Sequence, residues 1–140
     1  MRMRHRTLIL IFLAAAGWRQ AAAHHSTMFF DVNAEIAHEN VTVVDFVVAN
    51  PHGVLIYVFT DDGGNEVQWQ AELPSGNFTR RGGISASMLS PGDRLPIVVS
   101  WPGIPGLVRE NTSRLKSMEF PNGDVATFTP VSAELARGSE

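Results

Sequence analysis

Two tandem histidines, His24 and His25, follow three alanines, and a third, His52, stands directly after Asn50-Pro51. Imidazole nitrogens are common transition-metal ligands, and what these can do depends on where the mature chain begins. Ala21-Ala22-Ala23 has the A-x-A form of a signal-peptidase site. Cleavage after Ala23 would free an amine on His24, which with its own ring nitrogen forms a brace-like chelate, His25 or His52 adding a further donor. Cleavage one residue earlier would put His25 third from the amine, another strong Cu(II) arrangement through deprotonated backbone amides. Nitrogen donors favour Cu(II) over Zn(II), and Mg or Ca fit them poorly. With no cysteine in the chain, thiolate sites and cysteine nucleophiles are excluded. In the competing reading, His24 and His25 are only a polar leader and His52 is a turn residue bonded to backbone.

The leader has three parts: Arg2, Arg4 and Arg6, an apolar run from Leu8 to Ala16, and the alanine site. The apolar run is shorter than the roughly 20 residues of a spanning helix, so residues 1–23 are expected to be a cleaved signal peptide and not a stable membrane anchor. A periplasmic or secreted home follows. Removing them takes away Arg2, Arg4, Arg6 and Arg19 and no acid, leaving seven basic against fourteen acidic side chains. Such a surface disfavours nucleic acid. The remaining 117 or so residues suit one domain with a real core, expected over 24–129, with 130–140 as a flexible tail.

Strand signals dominate that domain. Residues 24–40 read as an extended lead-in followed by a turn or short helix. Val41 to Ala49 is β-branched, with Val44, Phe46 and Val48 expected to face the core and Asp45 solvent. Asn50-Pro51-His52-Gly53 makes a tight connection, in which Gly53 would tolerate positive φ. Val54 to Thr60 is apolar on both faces, and Asp61-Asp62-Gly63-Gly64-Asn65 signals a hairpin. The next strand alternates, Val67, Trp69, Ala71 and Leu73 against Glu66, Gln68, Gln70 and Glu72. Short helical turns over 77–90, with Ser75 and Ser85 as caps, precede a strand from Arg94 to Trp101. There Leu95, Ile97, Val99 and Trp101 are expected to share a face, with a free edge or bulge at Pro96. A Pro- and Gly-rich loop then leads to a last hairpin, 114–120 and 125–128. This order predicts an all-β fold with minor α content, a five- to six-stranded, partly open barrel of the OB type, with a small sandwich as the alternative. Trp69, Trp101, Phe46 and Phe128 read as core fillers.

In a meander turning near Gly63, residue 54 lies opposite about residue 72, so Glu72 should point out of the sheet at the same end as His52. The candidate metal site is therefore His24, His25, His52 and Glu72. Ser26, Asp31 and His52 include hydrolase residue types, but no nucleophile turn such as G-x-S-x-G is present, and a non-enzymatic domain is expected. Arg80-Arg81 reads as a solvated pair. The sequons at Asn40, Asn77 and Asn111 matter only in a eukaryotic secretory route.

Ala23-His24-His25-Ser26 with Phe30-Asp31, Asn50-Pro51-His52, Trp69-x-x-Glu72, Arg80-Arg81-Gly82, Pro91-Gly92-Asp93 and Pro121-Asn122-Gly123 resembles a family of small exported bacterial proteins of unknown function. The resemblance spans nearly the whole mature chain and departs from the family pattern at Val41 and Val47. It implies an exported, β-rich domain and no established activity. The functional expectation is a copper-binding barrel; the alternative is an interaction module that takes an unknown protein or small molecule and no metal.

Overall fold

The computed structural model describes residues 26–138. Seven strands form: β1 (Ile36–Val47), β2 (Val54–Thr60), β3 (Glu66–Glu72), β4 (Arg94–Pro102), β5 (Thr112–Glu119), β6 (Val125–Thr129) and β7 (Ser132–Ala136). They lie in the order β3-β2-β1-β4-β5-β6-β7, and a parallel pairing of β3 with β5 closes the first five into a barrel. The expected all-β barrel is therefore present, with the OB-type strand order and a helical insert between β3 and β4. The closing seam is short, running from Gln70–Thr112 to Glu72–Arg114. Among the described residues no helix is long and apolar enough to cross a membrane.

Local chemistry explains the meander. Asp61 Oδ1 accepts the Asn65 backbone N–H at 2.8 Å while Gly64 takes φ 79°, which closes the β2–β3 hairpin where the glycines stand. On β3 the predicted alternation holds: Ala71 and Leu73 are fully buried and Trp69 packs against the core. The helix α1 (Gly76–Arg81) has Ser75 as its cap, whose Oγ accepts from Phe78 N at 3.5 Å. Phe46 and Phe128 are buried, as expected of core fillers, and Trp101 is partly buried.

Two strands bury a different set of residues from the one predicted. On β1 the core takes Val41, Val43 and Phe46, and Val44 is exposed. The cause is a bulge: Val43 pairs with Tyr57 and Asp45 with Ile56, so β1 holds an extra residue and its inward phase flips. On β4 the buried residues are Leu95, Val98 and Ser100, where Leu95, Ile97, Val99 and Trp101 were expected. Between the pairs Glu39–Ile97 and Val41–Leu95 stand Asn40, at φ 53°, and Pro96. A left-handed residue opposite one with no N–H donor breaks the alternation in both strands. Pairing with β5 begins only at Val98, so Pro96 does mark a free edge.

Both ends of the domain are more ordered than expected. Over 36–40 the chain is the start of β1, with no turn or helix there. Ahead of it, a 3-10 turn at Ser26–Phe29 leads to a bridge between Phe30 and Gly103, and Asp31 N donates to Pro102 O at 2.9 Å. Residues 130–140 were expected to trail as a tail, yet β7 pairs with β6 along its whole length. The buried Asp124 carboxylate anchors the two residues after β7, accepting from Gly138 N and Arg137 Nη1, each at 3.0 Å. These hydrogen bonds, led by the Gly138 N–H and aided by Asn122 and Arg137, hold its carboxyl below the usual carboxylate range.

Candidate functional site

The β1–β2 turn is fixed at both shoulders. Its Asn50-Pro51 peptide is cis. Gly53 does not sit at positive φ, contrary to expectation; it is needed because a Cβ there would lie 2.4 Å from Val47 O. Leu73 N donates to Gly53 O at 2.9 Å, tying the turn to the end of β3. From the helical side, Asn77 N donates to Asn50 Oδ1 at 3.3 Å. Arg80 is exposed, as expected, and also reaches across to Val48 O at 3.1 Å and Asn77 Oδ1 at 3.3 Å, so it braces the same turn.

His52 leaves this turn beside Glu72. The predicted register is the observed one, with Val54 opposite Glu72, and Glu72 lies between the fully buried Ala71 and Leu73, so it points outward. His52 Nδ1 sits 3.4 Å from Glu72 Oε1, longer than a good hydrogen bond, and that nitrogen is closed to solvent. The same Oε1 receives Nη1 of Arg114 at 2.7 Å. Arg114 lies opposite Glu72 in the parallel seam, is only 1 % exposed, and also donates from Nη2 to Pro130 O at 3.4 Å. Burial lowers the guanidinium below its ordinary value and the Glu72 charge opposes that. The result is a line of imidazole, carboxylate and buried guanidinium on the outer wall of the barrel.

Arg114 was missed from the sequence, where it is one arginine in a polar strand, with nothing local to show that its partner is 42 positions away. His24 and His25 lie outside the described residues. Among those described, no three His, Asp or Glu side chains gather as a metal would need.

A second histidine was also missed. His38, on β1, pairs opposite the buried Val98 and so turns inward. Its ring stacks on Phe59 at 3.8 Å and 16°, meets the edge of Trp69 at 4.8 Å, and places Nδ1 2.9 Å from the hydroxyl of the buried Tyr57. His38 also lines a groove of about 580 Å³ with Glu39, Asp62 and Arg94.

A model of a family of unknown function, DUF6152, matches residues 12–106. The chain belongs to this family. No curated protein and no solved structure matches it. The DUF6152 span holds all three predicted histidines, Glu72 and His38, whereas Arg114 falls beyond it, in the part of the chain that closes the barrel and adds β6 and β7.

Burial lowers the His38 pKa below its ordinary 6.5. Below pH 6.5 the unfolded chain therefore binds this proton more readily than the folded one, and stability present above that pH is lost as pH falls through the folded value. Urea midpoints of the mature protein should drop between pH 7 and 5 through this group. In His38→Gln the drop over that window should be smaller; an unchanged drop would assign it to other groups.

Proposed function

We propose that the mature chain is an exported, non-enzymatic domain that binds a transition metal, Cu(II) by preference, at the outer wall near the β1–β2 turn. His24 supplies its amine and ring nitrogen, His25 and His52 supply further nitrogens, and Glu72 completes the set. In this reading the leader ends at Ala23, the protein works in the periplasm or outside the cell, and the Ala23-His24-His25-Ser26 start and Asn50-Pro51-His52 turn are the marks of such small exported proteins.

The observation that carries the reading is the setting of His52. Its Nδ1 is enclosed beside Glu72 while the side chain as a whole is 33 % exposed, so the exposed edge is the one that carries Nε2. Chain length supports the rest. From Phe30 the path across Gly103 and Thr112 to Gln70, two residues before Glu72, crosses three strand spacings, about 14 Å. Four of the six residues back to His24 lie in the 3-10 turn, so their reach is about 15 Å, close to the length of that path.

Titrating Cu(II) into protein with an authentic His24 terminus tests the proposal. Sub-micromolar binding that is lost when one residue is added ahead of His24, and weakened in His52→Ala, is the expected result. Binding no tighter than that of a generic histidine peptide sinks it.

A second reading, an interaction module without metal, has its own support. Met28, Phe29, Val32 and Leu107 are all exposed, an apolar set on the lead-in and the β4–β5 loop. Under that reading the copper titration is featureless.

A further inference from the structure

His52 and His38 each turn Nδ1 toward a protein partner, and the two partners are chemical opposites. His52 faces a carboxylate, an acceptor with no proton to give; His38 faces a phenol, which has one.

We propose that the fold fixes the neutral forms of these two imidazoles in opposite tautomers. His52 carries its proton on Nδ1 and turns a bare Nε2 outward, and His38 carries its proton on Nε2. The Arg114–Glu72 pair is the positioning device for His52. The tautomers stand on the geometry alone; what the bare Nε2 of His52 is for rests on the metal reading above.

At His52 the proton is placed by lone pairs. Its Nδ1 is closed to water and has no hydrogen-bonded partner among the described residues, and Glu72 Oε1 lies 3.4 Å from it. Without a proton on Nδ1, a nitrogen lone pair and a carboxylate oxygen would face each other where water cannot intervene. With the proton there, the same contact is attractive. Glu72 cannot swing away cheaply, because its Oε1 also receives Arg114 Nη1 at 2.7 Å and that guanidinium is buried and tied to Pro130 O.

At His38 the proton is placed by Tyr57. The phenol is fully buried, burial keeps it protonated well above the ordinary tyrosine range, and His38 Nδ1 is the partner its hydroxyl has. If His38 held its proton on Nδ1, the phenolic hydrogen would have no acceptor, and a buried unmet donor is costly. Donation from Tyr57 to Nδ1 satisfies both groups and puts the imidazole proton on Nε2.

A metal ion needs a lone pair. His52 offers one at Nε2 as it stands, and His38 does not. A histidine that ligates through one nitrogen and gives its other N–H to a carboxylate is a recurring arrangement at metal sites.

Long-range proton–nitrogen NMR correlations on the uniformly labelled mature chain, at pH 8 without metal, read both tautomers directly. The expected spectrum has His52 with a protonated Nδ1 and an unprotonated Nε2, and His38 with the reverse. In Glu72→Gln the His52 pattern should relax toward a mixture while His38 is unchanged; in Tyr57→Phe only His38 should change. Protonated Nε2 at His52, or protonated Nδ1 at His38, in the wild-type spectrum overturns the proposal even if neither variant folds. Sub-stoichiometric Cu(II) then separates the two ideas. Broadening of His24, His25 and His52 with His38 spared supports both, whereas correct tautomers with no selective broadening leave the tautomers established and sink only the metal reading.

Discussion

Replacing Arg114 with leucine is expected to lower the stability of the fold by about 3 kcal/mol, as read from the shift of the urea midpoint. Removing one partner of a buried ion pair typically costs 3–5 kcal/mol, because the remaining charge keeps its desolvation and loses its compensation. Glu72 is 28 % exposed, so water can recover part of that loss, which places the estimate at the lower end. Arg114→Lys should recover little, since a single ammonium cannot hold Glu72 and Pro130 O together as the two arms of a guanidinium do. The double variant Arg114→Leu/Glu72→Leu should be more stable than the single Arg114→Leu, because the orphaned carboxylate is gone. A single variant within about 0.5 kcal/mol of wild type would show that the seam does not depend on this pair.

Gly53→Ala is expected to be nearly as damaging, by about 2–3 kcal/mol, for a purely steric reason. The new Cβ would meet Val47 O at 2.4 Å, and that oxygen belongs to backbone held in register by the Val47–Val54 pair. The backbone φ of Gly53 is not in the left-handed region, so the glycine is there for space and not for conformational freedom. Relief requires the turn to move outward, which also moves His52 away from Glu72. The variant should therefore lose both stability and the fixed His52 signature in the proton–nitrogen spectrum. A variant that keeps both would mean that the turn can shift without disturbing the site.

The contrast between what was read correctly and what was not has one physical origin. The β2–β3 hairpin and the Val54–Glu72 register were legible because Asp61-Asp62-Gly63-Gly64-Asn65 encodes its turn locally, and an antiparallel meander then sets every pair by counting. The inward faces of β1 and β4 were misread because alternation assumes an unbroken ladder. One bulge at Val43/Asp45 and one left-handed Asn40 beside Pro96 each reverse the phase, and neither leaves a mark in hydrophobicity. His38 was passed over because the stretch before Val41 is polar, and only pairing with β4 makes it the start of a strand.

By itself the sequence determined the fold class, the meander, the order of strands around a helical insert, and the meeting of His52 with Glu72, all of which rest on contacts between near neighbours in the chain. The tertiary structure alone decided that the barrel closes through β3 and β5, and with that closure came Arg114 beneath Glu72 and Ser113 beneath the Trp69 indole at 2.9 Å; separately, β7 pairs on β6 where a free end was expected. A parallel seam joining residues 42 apart has no turn to announce it and no local pattern to set its register. It forms only because the rest of the barrel has already brought those two strands side by side.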